Sequence, residues 1–273
     1  DPRGMLAYTY LRLISELRPK ALIFENVYGM MTVEGGSVFE DLKKKLSSPN
    51  DDLSYKLSIL RLNAADFGAP QYRDRVFIIG SLEGKELSPM TALFSNKAKN
   101  PGLNGLRQRT VSDGLRNLPK IANGKSHNHT GRNHSERIIA RYADMKFGER
   151  DSKTRINKLD PKRPSYAIIV GSDAGGGKGH IHPFEPREVT PRESARMQCF
   201  PDWWWFSGTG RHPIRQVGNA VPSLLGAVVG QKIISEIFNL LPNSYPKIVE
   251  LLDQKHLFTS QELEVLSEMF SYD

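Results

Sequence analysis

The chain has 273 residues, of which 38% are hydrophobic and 25% charged, and its formal net charge is +8. This length can bury a core without disulfides, and no apolar run reaches the roughly 18–20 residues that a membrane-crossing helix needs. The single cysteine, Cys199, excludes an internal disulfide framework, and no signal-peptide pattern opens the chain, so we expect a cytoplasmic protein with no membrane partner.

The positive charge is concentrated in the middle of the chain. Residues 107–196 contain 19 Lys and Arg against 10 Asp and Glu, whereas residues 236–273 contain 2 against 7. A basic segment of this kind favours a polyanion, most simply nucleic acid, and then a nucleoid-associated location. Charge alone fits a solvated basic face equally well.

The first 80 residues alternate between helical and strand patterns. Apolar residues at helical spacing predict a helix that Pro19 ends, and "ALIF" (21–24) predicts a strand of a parallel sheet covered on both faces. A second helix is predicted around Val38–Leu46, and two further strands in "YKLSILRLN" (55–63) and "RVFIIG" (75–80). This alternation is typical of a doubly wound α/β sheet.

The rest of the chain is less regular until residue 190. Residues 81–165 are polar and basic, with one clear helix pattern in "SERIIARYADM" (135–145), and "SYAIIVG" (165–171) predicts a strand. "TPRESARMQCF" (190–200) has the Thr-Pro start and acidic first turn of a helix, and a long apolar helix is predicted from near Pro222. The tail predicts two short amphipathic helices.

Glu25 and Asn26 stand directly after the "ALIF" strand. Ligands and catalytic groups gather outside the carboxyl ends of strands in open α/β sheets. Taken alone, however, the pair reads more simply as a turn or helix cap.

Two later stretches favour a functional reading of that pair. In "QYRDRVFIIG" (71–80), Arg73 and Arg75 alternate, which predicts that both guanidinium groups lie on one face and hold a phosphate or a carbonyl oxygen. In "RQVGNAVPSLLG" (215–226), Gly218 and Asn219 precede a helix, which permits close backbone approach to a ligand.

In this order, the motifs resemble those of the DNA cytosine-5 methyltransferases. The matching segments, which with their flanks cover about residues 1–235, are "DPRG" (1–4), "ENV" (25–27), "QYRDR" (71–75), "TPRESARMQCFPD" (190–202) and "GNAVP" (218–222). The resemblance implies part of a doubly wound, Rossmann-like S-adenosylmethionine-dependent methyltransferase sheet with a smaller, irregular target-recognition domain. We expect the catalytic domain over residues 1–82, target recognition over 83–189, a return to the catalytic domain and cofactor side over 190–238, and a helical tail over 239–273.

The resemblance also implies a reaction on duplex DNA. A cysteine thiolate attacks C6 of a flipped-out cytosine, so that C5 becomes enamine-like and accepts the methyl group of S-adenosylmethionine. Glu25 then matches the glutamate that contacts N3 and N4 of the base, for which a desolvated, protonated carboxyl is required. Arg75, with Arg73 beside it, matches the cation at the cytosine O2 and the adjacent phosphate.

Further site residues are assigned on the same basis. We expect Asn26 and Asn219 to contact the cofactor, Asn219 near its methionine part. We expect Gln71, Arg192, Lys178 and His180 to contact DNA, the last two from a glycine-rich loop of the recognition region.

The family's Pro-Cys nucleophile loop and its glycine-rich S-adenosylmethionine loop precede the segment that matches "DPRG". We therefore expect this sequence to lack both the catalytic cysteine and most of the cofactor site. Cys199 is predicted to be a packed thiol rather than a substitute for the catalytic cysteine. We therefore expect the nucleophile on an N-terminal half or on a companion subunit. The alternative is a non-catalytic DNA-binding or specificity subunit of a split methyltransferase.

Two other patterns allow competing interpretations. "HNHTGRNH" (127–134) lacks cysteine or acidic ligands, which favours histidines near DNA phosphates over a metal site. "PDWWWF" (201–206) has the aromatic residues to stack on bases, but a packed hydrophobic anchor is the simpler prediction.

Overall fold

The structure is a computed structural model that describes residues 5–96, 105–119, 127–170 and 177–270. The chain forms two compact units. The first unit comprises Asp1–Asn63, Asp74–Thr91 and Val229–Pro242, and the second comprises Ala64–Arg73, Ala92–Val228 and Asn243–Asp273.

The first unit contains a three-stranded sheet and the two helices that the apolar spacing of the sequence predicts. Its elements in chain order are α1 (Met5–Leu17), β1 (Ala21–Val27), α2 (Ser37–Ser47), β2 (Lys56–Asn63) and β3 (Asp74–Ser81). Helix α1 ends two residues before Pro19, and α2 covers the predicted amphipathic segment, so both predictions are confirmed. Their apolar faces pack with one face of the sheet around Ile14, Leu22, Leu46 and Ile78.

The strand order is β1-β3-β2, and β3 runs antiparallel to both neighbours. The prediction of purely parallel pairing is therefore wrong, although β1 and β2 run in the same direction. β1 is also less covered than predicted, because Ile23 and Val27 are 46% and 50% exposed. Strand β3 lies between β1 and β2 and runs antiparallel to both. This placement matters for the site, because it brings the start of β3 beside the carboxyl end of β1.

The second unit is built mainly from short helices and irregular chain. It contains α3 (Val111–Leu115), α4 (Glu136–Asp144), the two-residue strands β4 (Ile169–Val170) and β5 (Gly177–Lys178), α5 (Pro191–Met197) and α6 (His212–Asn219). The strand predicted over 165–171 is thus shorter than expected. Its tail forms α8 (Tyr245–Leu251) and α9 (Ser260–Met269), which confirms the two predicted short helices.

Local capping explains where α5 begins. The Thr190 side chain accepts a hydrogen bond from the Glu193 amide, and the Glu193 carboxylate accepts one from the Thr190 amide. This reciprocal capping box satisfies two amide groups that a helix start otherwise leaves unpaired. The helix start predicted from "TPRE" is therefore confirmed.

Helix α7 (Ser223–Glu236) begins one residue after Pro222, close to the predicted start. The stretch His212–Glu236 is long and apolar enough to cross a membrane by length and composition, with a mean hydropathy of 1.2 in its most apolar window. Half of that window is buried inside the protein, and helices of a protein core commonly pass the same test.

Candidate functional site

Glu25 and Arg75 form an ion pair at the carboxyl end of β1. In the β1–β3 register Glu25 lies opposite Phe77 and Val27 lies opposite Arg75, so Glu25 and Arg75 are diagonal neighbours on one face. The Arg75 Nε lies 2.7 Å from the Glu25 Oε1, and the two side chains are 11% and 28% exposed. Two charges that the sequence separates by 50 positions are thereby held in contact.

The surroundings of this pair affect its charge. Burial lowers the pKa of Arg75, and the neighbouring Glu25 carboxylate opposes that shift. A guanidinium in contact with a carboxylate favours the charged form of the acid. Donation of a proton by Glu25 to a base therefore requires the ion pair to loosen or its charge to be redistributed when the base arrives.

A cavity of about 690 Å³ adjoins β1 and is lined by both Glu25 and Asn26. Its remaining lining comes from α1, α2, β1 and Met30, which follows β1, and includes Tyr10, Phe24 and Asp41. Asn26 is half-buried, and its Oδ1 accepts a hydrogen bond from the Val27 amide at 2.8 Å. This bond fixes the orientation of the Asn26 side chain and therefore of its NH₂ group. Size and lining suit a small organic ligand with both polar and apolar parts.

Arg73 makes contacts that differ from those of Arg75. It lies in the second unit, is 3% exposed, and donates from Nη2 to the carbonyl oxygens of Gly218 at 2.6 Å and Ala220 at 2.9 Å. Because β3 begins at Asp74, Arg73 precedes the strand. The expected common face for two ligand-binding arginines is therefore wrong, and Arg73 instead fixes the backbone on both sides of Asn219.

Asn219 is the last residue of α6, and its side chain is exposed. Its backbone position is set by the two flanking carbonyl groups that Arg73 binds. The structure thus links the "QYRDR" and "GNAVP" segments through one buried guanidinium group. The cofactor contact predicted for Asn219 remains a prediction.

Three of the four residues predicted to contact DNA are buried, and their DNA contacts remain predictions. Gln71 is 0% exposed, and neither of its amide atoms has a hydrogen-bond partner among the described residues. Arg192 is also 0% exposed, and it donates to the carbonyl oxygens of His127, Pro201 and Trp204. Both side chains are enclosed by the second unit's own backbone and core, so a DNA contact by either requires local opening.

Of the two residues of the glycine-rich loop that we predicted to contact DNA, the structure describes the side chain of His180 but not that of Lys178. His180 is 2% exposed, its Nε2 lies 3.1 Å from the Tyr166 carbonyl oxygen, and burial lowers its pKa. A buried neutral imidazole is poorly suited to a phosphate contact. Lys178 is described only in its backbone, so the prediction for its side chain, like that for residues 171–176, lies outside what the structure describes.

Cys199 is fully buried, which confirms the prediction of a packed thiol. Burial raises the pKa of Cys199 to about 12, and the nearby Arg109 opposes the shift only partly. A thiol acts as a nucleophile through its thiolate, so Cys199 is inert in this fold at neutral pH.

The three tryptophans do not form the packed anchor that we predicted. Trp203, Trp204 and Trp205 are 59%, 45% and 70% exposed. The nearby histidines also form no metal cluster, since no group of three or more potential ligands that could hold a metal ion occurs among the described residues. The run of three tryptophans is visible in the sequence, but their exposure is shown only by the structure.

Comparisons with known proteins identify the family of the chain. The model of the C-5 cytosine-specific DNA methylase family matches residues 1–235. The Type II methyltransferase M.DdeI of Desulfomicrobium norvegicum is 26% identical over 310 residues, covering 94% of this chain and 73% of its own length. The Type II methyltransferase M1.HphI of Haemophilus parahaemolyticus is 29% identical over 245 residues, covering 86% of this chain and 62% of its own length, so the chain spans less than two thirds of that relative.

Among solved structures, a candidate DNA modification methyltransferase encoded within an E. coli prophage is 28% identical. It superposes with a TM-score of 0.67 over 88% of this chain and 75% of its own. The mixed α/β architecture with a small open sheet is consistent with an S-adenosylmethionine-dependent methyltransferase fold, which confirms the expected fold class. The family match over most of the chain shows that this chain belongs to the C-5 cytosine-specific DNA methylases.

Proposed function

We propose that this chain forms the C-terminal part of a DNA cytosine-5 methyltransferase of a restriction-modification system, and that it works in the cytoplasm on chromosomal DNA. The observation that carries the proposal is the Glu25–Arg75 ion pair at the end of β1, beside a cavity. The family uses S-adenosylmethionine as its methyl donor. Within that cavity, Asn26 is the residue we expect to contact the cofactor beside the Tyr10 and Phe24 rings, since the two carboxylates, Glu25 and Asp41, are already paired with Arg75 and Lys45 at 2.7 Å.

The pair supplies two complementary groups to a cytosine. The Glu25 carboxyl donates a proton to N3, or shares one with it, and accepts a hydrogen bond from the N4 amino group. When the base has entered and the ion pair has loosened, Arg75 stabilises negative charge on the O2 side. Both effects favour addition of a nucleophile at C6, because they draw electron density away from that carbon.

The nucleophile in this proposal is a cysteine on a segment outside this sequence, either an N-terminal half or a companion subunit. Its thiolate adds to C6, and C5 then takes the methyl group. Loss of the C5 proton to a base and departure of the thiolate restore the aromatic ring. Cys199 takes no part, since it is buried and protonated.

A second candidate function is a non-catalytic DNA-binding or specificity subunit. The exposed aromatic residues and the net positive charge of residues 107–196 fit this role without any use of Glu25. The two functions differ in whether methylated cytosine depends on the ion pair.

Bisulfite sequencing of DNA from cells that express the complete locus tests the proposal. We expect 5-methylcytosine at one specific sequence with the wild-type locus. Glu25→Gln keeps the side-chain size but removes the acid. We expect its single-turnover rate of methylation to fall by about 10²-fold, as for loss of a general acid. DNA binding should be retained.

Glu86→Gln is the matched control. Glu86 forms an exposed ion pair with Lys56 at 3.2 Å in the same unit, so the substitution removes an equivalent charge away from the strand end. Turnover should stay at the wild-type level. Wild-type turnover of Glu25→Gln would exclude the catalytic assignment and favour the specificity subunit.

A further inference from the structure

We define the tryptophan surface as Trp203, Trp204, Trp205 and His127. Its indole rings are more exposed than those of residues that pack into a hydrophobic core. The three indoles remain 45–70% exposed. Trp203 and Trp204 contact each other at a ring-centroid distance of 5.7 Å, and Trp204 contacts Phe200 at 6.1 Å. Among the described residues, the ring in contact with Trp205 is the His127 imidazole.

The segment that carries these rings is held firmly. Arg192 donates to the carbonyl oxygens of Pro201 and Trp204, and Arg196 Nε binds the Asp202 carboxylate at 2.8 Å. Phe206 and Asn128 exchange two hydrogen bonds of 2.9 Å. The exposure of the indoles is therefore imposed by a fixed backbone.

Trp205 already accepts one planar ring. The His127 imidazole lies parallel to it, with ring centroids 5.7 Å apart and an interplanar angle of 11°. Arg192 Nε also binds the His127 carbonyl oxygen, so the histidine is fixed by the same guanidinium group. The geometry is that of a stacking platform for flat, heteroaromatic groups.

The charge around the surface favours nucleic acid over an apolar protein partner. No Asp or Glu occurs between Asp202 and Glu236, a stretch that includes Arg211 and Arg215. Asn128, which follows His127, lines a cavity of about 510 Å³ together with Arg132, Arg211 and Glu188, and Arg132 is paired with Glu188 at 3.7 Å. Aromatic rings beside cations are the combination with which proteins bind unpaired nucleotides.

We propose that the tryptophan surface stacks on unstacked nucleobases of a DNA strand, with Trp205 as its principal ring. This inference rests on the proposed function, because it assumes that the chain encounters DNA. It adds a second base-contacting surface, distinct from the Glu25–Arg75 pair, that recognises unpaired bases without regard to sequence.

The sequence provides a direct readout. The three tryptophans of this surface are the only ones in the chain, so selectively excited tryptophan emission reports on it alone. The chain is titrated with a dye-labelled single strand, the matching paired duplex, and the same duplex with one extrahelical cytosine. Dye anisotropy measures binding independently of tryptophan emission.

We expect the single strand and the extrahelical cytosine to quench tryptophan emission more than the paired duplex does. Trp205→Ala should weaken single-strand binding about tenfold, and Trp205→Phe should restore most of it, because stacking on one ring is worth about that much. Leu241→Ala is the control, since Leu241 is 84% exposed and apolar but lies outside the tryptophan surface, and it should bind as the wild type does.

Three outcomes would overturn the proposal. Anisotropy that rises while emission stays constant would place DNA elsewhere on the chain and leave the proposed function intact. No anisotropy change with any DNA would remove the premise of DNA binding as well. Emission that changes only when the N-terminal part of the enzyme is added would identify a protein interface instead.

Discussion

Arg73 Nη2 lies 2.6 Å from the carbonyl oxygen of Gly218, which is 145 positions later in the chain. Arg75, two residues after Arg73, instead contacts Glu25. The two arginines of "QYRDR" therefore have separate roles: one orders the "GNAVP" backbone and the other charges the candidate catalytic site. The following variants test this separation and the wider proposals.

Arg73→Lys should destabilise the protein. A lysine ammonium cannot reproduce the planar guanidinium that donates to two carbonyl groups, and hydrogen bonds of charged groups are worth about 1.5–3 kcal/mol. We expect the free energy of urea unfolding to fall by about 2 kcal/mol or more, since the site is 3% exposed.

Arg12→Lys is the control for this measurement. Arg12 is 70% exposed and lies 3.7 Å from Glu16 within α1, so its replacement should change stability by less than about 0.5 kcal/mol. Equal effects of the two substitutions would contradict a structural role specific to Arg73.

Asp113 should make stability depend on pH in the acid range. Burial alone would raise its pKa, but hydrogen bonds from Arg107 and Thr110 outweigh burial and lower the pKa of Asp113 to about 2. Its pKa is thus depressed in the folded state, so its contribution is complete above the unfolded pKa near 4 and is lost as pH falls toward 2.

We therefore expect Asp113→Asn to cost about 2 kcal/mol of unfolding free energy at neutral pH, with the deficit shrinking between about pH 4 and pH 2. Glu264→Gln, at an exposed position of α9, should show no such trend. A deficit that stays constant down to pH 2 would exclude the ion pair as its origin.

Cys199 should remain unreactive toward a cytosine analogue. DNA that contains 5-fluorocytosine traps an attacking cysteine covalently, because the fluorine at C5 cannot leave as a cation. We expect no adduct with this chain alone, with or without S-adenosylmethionine, since Cys199 is buried and protonated.

Under the proposed function, an adduct should form in the presence of S-adenosylmethionine when an N-terminal half or a companion subunit is supplied, and peptide mass spectrometry should map it to that added part. A thiol reagent provides an independent readout, as Cys199 should react only after unfolding in denaturant. A DNA adduct on Cys199 would refute the proposed division of catalytic groups.

Binding of duplex DNA should depend steeply on salt. Residues 107–196 carry a net charge of +9, and each phosphate contact contributes about −0.9 to the slope of log K against log salt for duplex DNA. Lys162→Gln combined with Arg163→Gln, two exposed neighbours in this segment, should reduce that slope by about 1–2.

Lys247→Gln is the matched control, because Lys247 is exposed in the acidic C-terminal tail and pairs with Glu250 at 3.5 Å. Its slope should equal that of the wild type. Affinity that does not change with salt would show that the basic segment is only a solvated face.

Local features of the fold could be predicted from the sequence, because each depends on residues that are close together in the chain. Pro19 ends α1, Thr190 and Glu193 cap α5, and apolar spacing defines α2 and the tail helices. The order of the short motifs was also sufficient to predict the family. These features need no knowledge of which elements meet in space.

Partners across long separations could not be predicted in this way. The sequence shows two arginines at alternate positions, and only the antiparallel placement of β3 decides that Arg75 reaches Glu25. In the same way, the position of Arg192 in a helical pattern does not show that backbone carbonyl groups enclose it.

The amino-acid sequence by itself determined several of the helices, the family and the residue types that bring charge to the end of β1. The tertiary structure alone decided which of the predicted functional residues are accessible. It buried Gln71, Arg192 and His180 and exposed the three tryptophans. The physical reason is that periodicity and capping are local properties of the chain, whereas burial and ion pairing depend on the packing of segments far apart in sequence.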